Sequence, residues 1–432
     1  MPTPGSRVFV GRLNYHRAVI APGWSMGPGQ ERPGQRLSVY PREGMPLAEP
    51  VLRFLHASDL RLHEPLTGPI DPPEFLRTAL VEAPYDAARR VFDAALENKV
   101  DFLLLTGDTV DYDAAGPRSL VFLGDQFARL EREGVAVYWL AAADAAELWP
   151  PELSLARNVV RVGPGLVEHV HRRAGAAAAR IMTAEAVLAR RVPAARSTEP
   201  LPPLVALAGD DPPQRFEGEL VPRYWALAGC SERRNVLAGP TQAHDPGSPQ
   251  GRTLDEVGAH GCTLVEIDRA GETTLRIVPT DVCRWVQHTV ELERPTNEAQ
   301  IERLLHDRVA TLRQSSGPRE TLVHWTVRAT KAAATLRWHD TFARTAIDRL
   351  NQAHAGSSPC VFTCGLELEV TESERETNPE SFFGQFALAL EELTAEELEA
   401  ADDVPVELEP RRIVARAARL GRSLLVGEEP AR

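Results

Sequence analysis

From residue 51 onward, apolar runs and amphipathic stretches alternate along the chain. Residues 51–57 (VLRFLHA) read as a strand that stops at Ser58-Asp59, and 101–106 (DFLLLT) as a second that stops at Gly107-Asp108. A third, 135–140 (VAVYWL), runs into Ala141, Ala142, Ala143 and Asp144. Between them, 85–99 places Ala88, Val91, Phe92, Ala95 and Leu96 on one helical face, and 119–134 carries a similar period. Strand and helix in strict alternation predict a layered α/β domain with crossover connections.

Further on, the Ala-rich stretch 175–203 predicts a helix plus a surface connection, and strands resume at 204–207, 224–227 and 263–267. The first domain is expected to span 51–285. Helix at 296–312, strand at 321–329, helix at 341–353 and strand at 360–370 predict a small second α/β unit over 286–370. Residues 371–432 read as a charged arm. Its stretch 382–401 sets Phe382, Phe383, Phe386, Leu390 and Leu393 on an amphipathic helix, and a basic stretch follows at 411–422. Residues 1–50, rich in Pro, Gly and Arg without a period, predict a disordered extension. A start at Met45 instead of Met1 would remove nothing that reads as folded.

A chain of 432 residues is too long for one core, in keeping with this division. It shows no apolar run of membrane-spanning length and no secretory leader, so a soluble cytoplasmic protein is expected. The formal net charge of −13 disfavours coating nucleic acid through a basic surface, though it leaves room for a local groove. Positive charge is almost all arginine, Lys99 and Lys331 being the only lysines. Cys230, Cys262, Cys283, Cys360 and Cys364 are scattered and form no CxxC pair, so most read as small buried hydrophobes.

The chemistry gathers at strand exits. Asp59, Asp108 and Asp144 all follow predicted strands, and carboxylates delivered to one rim of a sheet are what a di-metal hydrolase requires. FLHASDLRL, YDAARRVFDAAL, VDFLLLTGDTVD, GVAVYWLAAADA, YWALAGCSERR and PGSPQGRTLDEVGAHGCTLVEID follow one another in an order that resembles the calcineurin-like metallophosphoesterases, in the branch of SbcD-type DNA repair exonucleases. The resemblance covers about residues 51–292. It implies a four-layer α-β-β-α sandwich followed by a small α/β cap domain, with a helical C-terminal arm beyond it. By resemblance the partners are an SMC-like coiled-coil ATPase and DNA, no membrane is involved, and a homodimer is compatible.

The family builds its site from D-x-H, GD-x-x-D, GNHD, a lone histidine and GH-x-H. Here Asp59 is kept while Arg61 replaces the first histidine, and Asp108 keeps the second motif. Ala141, Ala142 and Ala143 replace Gly, Asn and His before Asp144. The fourth motif falls near Asp210 without a histidine, and Ala228-Gly229-Cys230-Ser231 stands for GH-x-H. The implied ligands therefore reduce to Asp59 and Asp108. His63, on the same face of an extended segment as Asp59 and Arg61, is a candidate substitute, as are Asp210 and Cys230. No resident cofactor is expected; an active enzyme would use Mn or Fe. Arg61 is expected to occupy a vacated metal position and pair with Asp59, Asp108 or Asp144. The sequence favours a catalytically degenerate scaffold or regulatory subunit in DNA metabolism. The alternatives are an active nuclease or phosphodiesterase with a rearranged site, and a phosphate-ester binding module contacted by Arg61.

Overall fold

The computed structural model describes residues 52–69, 72–140, 155–163, 168–189, 203–207, 221–237, 240–292, 296–330, 340–355, 357 and 359–371. The N-terminal extension, the exit at Ala141 to Asp144, Asp210 and the arm beyond Thr371 lie outside them.

Strand β1 (Leu52–Ser58) leads through helix α1 (Glu74–Glu97) to β2 (Phe102–Thr106), and a short α2 (Tyr112–Ala115) precedes α3 (Pro117–Arg132) and β3 (Ala136–Leu140). After β4 (Val159–Val162) come β5 (His169–Arg173), β6 (Ala176–Thr183), α4 (Ala184–Leu188), β7 (Leu204–Leu207) and β8 (Tyr224–Ala226). Then follow β9 (Arg234–Leu237), β10 (Gln242–Asp245), β11 (Gly261–Ile267) and β12 (Thr273–Pro279). A βαβαβ run closes the described chain: β13 (Cys283–Leu292), α5 (Glu298–Ser315), β14 (Glu320–Thr330), α6 (Asp340–His354) and β15 (Val361–Thr371).

The first sheet has the order β12-β11-β1-β2-β3-β4, with β1 to β4 parallel and β11 antiparallel to β1. The second has the order β5-β6-β7-β8-β10-β9. Because side chains alternate across a strand, β1 and β2 feed two cores at once. Leu52, Phe54, Phe102 and Leu104 meet Ile181, Val205, Leu207 and Tyr224 of the second sheet, whereas Leu55, Ala57, Leu103 and Leu105 meet Val91, Phe92, Leu123 and Phe127 of α1 and α3. Burial on both faces is why these strands read as unbroken apolar runs. The outer face of the second sheet packs Met182, Leu204 and Trp225 against Ala186 and Val187 of α4.

Two expectations need correction. The Ala-rich stretch does not start as a helix: β6 pairs antiparallel with β5 and parallel with β7, and Ala178 and Ala179 fit the narrow space between the sheets. Tertiary pairing overrides alanine's helix propensity. Helix α1 starts well before residue 85 and contains Pro84. Proline cannot donate to the carbonyl four residues back, and that carbonyl, on Leu80, accepts instead from Leu66 N at 3.2 Å. The helix thus continues through the proline, and the freed acceptor anchors the loop that follows β1.

The third sheet, β13-β14-β15, is parallel throughout. One face packs Val323, Trp325 and Val327 against Ile301, Leu305, Phe342 and Leu350 of α5 and α6. Trp285, Leu322 and Phe362 meet Leu76, Leu80 and Ala83 of α1. Asn297 and Gln300 form a reciprocal cap on α5, each side chain accepting from the other's backbone N–H at 2.9 Å. Trp325 is fully buried, its indole N–H donating to Thr363. Among the described residues no helix is long and apolar enough to cross a membrane.

Candidate functional site

The carboxyl ends of β1, β2 and β8 converge. Asp59 follows β1 in a left-handed conformation (φ 53°), as does Arg61 (φ 42°). Such conformations cost non-glycine residues on the order of 1–3 kcal/mol each and persist where surrounding bonds hold them. Here Asp59 N donates to Thr106 O, Arg61 N to Asp108 O and Leu62 N to Thr109 O, at 3.0–3.1 Å. The segment is consequently not extended, and a shared face for Asp59, Arg61 and His63 does not follow from strand periodicity.

Asp59 is buried, and both its oxygens are used. Oδ1 accepts from Asp108 N at 2.9 Å; Oδ2 accepts from Gly229 N at 2.9 Å and from the Ser58 hydroxyl. Gly107, itself left-handed, lies so close that a Cβ there would approach Asp59 Oδ1 to 2.5 Å. One carboxylate therefore ties together the exits of β1, β2 and β8. Asp108 is half-exposed beside it, and burial raises its carboxyl above the usual range. His63 and Arg61 oppose that rise; the charges of Asp59 and Glu64 add to it.

His63 Nδ1 accepts from Asp111 N at 3.0 Å. In the neutral ring the proton then sits on Nε2, which faces Glu64 at 3.5 Å and Asp108 at 3.8 Å. His63, Glu64 and Asp108 form a group whose candidate ligand atoms all lie within 4.8 Å of one another. Arg61 pairs with Glu64 at 3.6 Å, and among the described residues no pairing of its guanidinium with Asp59 or Asp108 is seen within ion-pair distance. Cys230 is half-buried, and burial raises its thiol, with the carboxylate of Asp245 adding to the shift. Its backbone N–H donates to Asp245 Oδ2 at 3.2 Å.

Three participants were not anticipated. Glu64 follows the candidate His63 directly. Arg252 closes the PGSPQGR loop; it is buried, and burial followed by the neighbouring Arg61 lowers its affinity for a proton. Asp245, at the end of β10, is fully buried and accepts from Gly247 N at 3.0 Å. Burial pushes its carboxyl up to about 6; the Gly247 amide opposes this, and the nearby Asp59 charge adds to it. Asp245 ends the short, mostly polar strand QAHD, and no local pattern marks it.

No family model matches the chain. A curated protein of Bacillus subtilis (strain 168), named Uncharacterized metallophosphoesterase YhaO, is 25% identical over 359 residues, which cover 77% of this chain and 85% of that protein. The chain is thus similar along most of its length to one protein named a metallophosphoesterase. Looser structural likenesses reach a dimetal phosphatase from Danio rerio (10% identity, 54% of this chain, 97% of the other, TM-score 0.33). Another is the sulfate thiohydrolase SoxB of Thermus thermophilus (13% identity, 63% and 62%, TM-score 0.32). The expectation that no cofactor resides at the rim meets a group, His63, Glu64 and Asp108, of residue types that divalent cations accept.

Proposed function

We propose that this metallophosphoesterase relative has lost the two-cation centre and works as a scaffold or regulatory subunit in DNA metabolism, of the SbcD-like branch. The observation that carries the reading is Asp59, whose carboxylate accepts three protein donors and acts as a structural tie. A two-cation clamp needs ligands from several segments fixed around both ions. The described residues do not fit one, because Asp59 is committed and His63 presents a proton where a ligand presents a lone pair. Metal-binding histidines donate their other ring N–H to an acceptor; here that nitrogen is itself the acceptor. An SMC-like ATPase and DNA are the partners this reading assigns, in keeping with the resemblance along residues 51–292.

The test is to measure bound Mn, Fe and Zn in the purified full chain and to assay phosphodiester cleavage with added Mn2+. The reading expects substoichiometric metal and no turnover above the level of Asp108→Asn. Stoichiometric metal with turnover abolished by Asp108→Asn would overturn it. One observation favours a second reading, a single-cation phosphoesterase: the proximity of His63, Glu64 and Asp108. It requires His63 to release the Asp111 amide, and the same metal measurement with His63→Ala tests it.

A further inference from the structure

Arg252 is 4% exposed, and its donors are unequally used. Nη1 donates to Gln250 O and Nη2 to Leu60 O, each at 2.8 Å, so the guanidinium is fixed in place. Its Nε is buried without a hydrogen-bond partner and lies 3.5 Å from Glu64 Oε2. Arg61 repeats the pattern: Nε is buried without a hydrogen-bond partner, and Nη1 lies 3.6 Å from the same Glu64 oxygen. One carboxylate oxygen thus stands between two guanidiniums and hydrogen-bonds to neither.

Buried donors of this kind call for an acceptor with suitable geometry. Guanidinium forks match oxyanions that offer several oxygens at once. Glu64 is 42% exposed and can turn into water, whereas Arg252 is held by two carbonyls and cannot. Asp108 opposes an anion at this rim, but its carboxylate is half-exposed, and that of Asp59 is covered by three donors. We propose that Arg61 and Arg252 form a receptor for a tetrahedral oxyanion, a phosphate or phosphate ester, whose place the Glu64 carboxylate holds. The proposal rests on the metal-free reading above, since a cation bound by His63, Glu64 and Asp108 would fix Glu64 where it stands.

The experiment is isothermal titration of the full chain with inorganic phosphate, in EDTA at constant ionic strength. A second arm uses a thymidine dinucleotide without terminal phosphates, which separates a phosphodiester from free phosphate as the source. Saturable binding in either arm is expected. Glu64→Gln should bind several-fold tighter, and Arg61→Ala about ten-fold weaker or more. Arg61 is the position to truncate because, unlike Arg252, its guanidinium donates to no described backbone carbonyl. The gain in Glu64→Gln keeps the test decisive if Arg61→Ala unfolds. Absence of saturable binding in both arms overturns the receptor, as does equal affinity across the three proteins. Binding that requires added Mn2+ overturns instead the metal-free reading beneath it.

Discussion

His56 and His63 stand on one continuous segment and meet opposite environments. His56 lies between the two sheets with both ring nitrogens engaged, Nδ1 by the Tyr224 hydroxyl and Nε2 by the Thr106 hydroxyl, each at 2.8 Å. Thr106 passes its own proton on to Leu227 O at 3.2 Å. His63, at the rim, has one nitrogen bonded and the other near carboxylates at 3.5 and 3.8 Å, beyond good hydrogen-bond distance. Saturated polar groups hold a fold together, and unsaturated ones are available to a ligand. Asp59 belongs with His56 in this division, although its position at a strand exit suggests a ligand; Arg61 and Arg252 belong with His63.

The largest loss is expected at Asp59. Asp59→Ala strands two amides and a hydroxyl that share one acceptor, and about 3 kcal/mol of stability should be lost. Urea unfolding in EDTA reads this directly. An idle metal ligand would instead give no loss, or a gain, because functional groups are commonly held at the expense of stability. The two histidines sharpen the contrast: His56→Ala should cost about 2–3 kcal/mol and His63→Ala under about 1 kcal/mol in the same assay.

A pH series separates the buried layer further. Burial holds His244 down at about 4 and His56 well below its ordinary value. Between about 4 and 6.5 the unfolded chain binds protons that the folded imidazoles refuse, so stability contributed by these histidines falls as pH drops through that window. Asp245, raised to about 6, works in the opposite sense, since the folded carboxyl takes up its proton first. Asp245→Asn should therefore steepen the acid loss seen in denaturation midpoints between pH 4.5 and 7. A shallower profile would show that the sign is wrong. The smallest effect is expected away from both regions. Arg118 pairs with Glu82 and lies 4.0 Å over the Tyr85 ring on an exposed surface, and Arg118→Ala should cost no more than about 1 kcal/mol.

The strands that carry the rim were legible because β1 and β2 are buried on both faces, which leaves continuous apolar runs with abrupt acidic ends. The course of the chain past those ends was not. Left-handed Asp59 and Arg61 are held by bonds to residues 106 and 108, partners distant in sequence, and no local pattern announces them. The same distance hid Arg252, which reaches Leu60 from 192 residues further along the chain. Pro84 hid the first half of α1 because the carbonyl it frees is satisfied outside the helix. The alanines of β6 hid a strand because small side chains there answer the spacing between sheets. Residue types at the site could be read one by one; which of their donors and acceptors are already used could not.

On the function proposed above, the rim holds no structural or catalytic cation. The unfolding midpoint of the full chain in EDTA, compared with the midpoint in excess Mn2+, tests it most directly. A site filled a hundredfold above its Kd would add about 2.7 kcal/mol to the folded state. Coincident unfolding curves are expected, with Asp108→Asn behaving alike in both conditions. A Mn2+-dependent gain of that size, absent from Asp108→Asn, would contradict it.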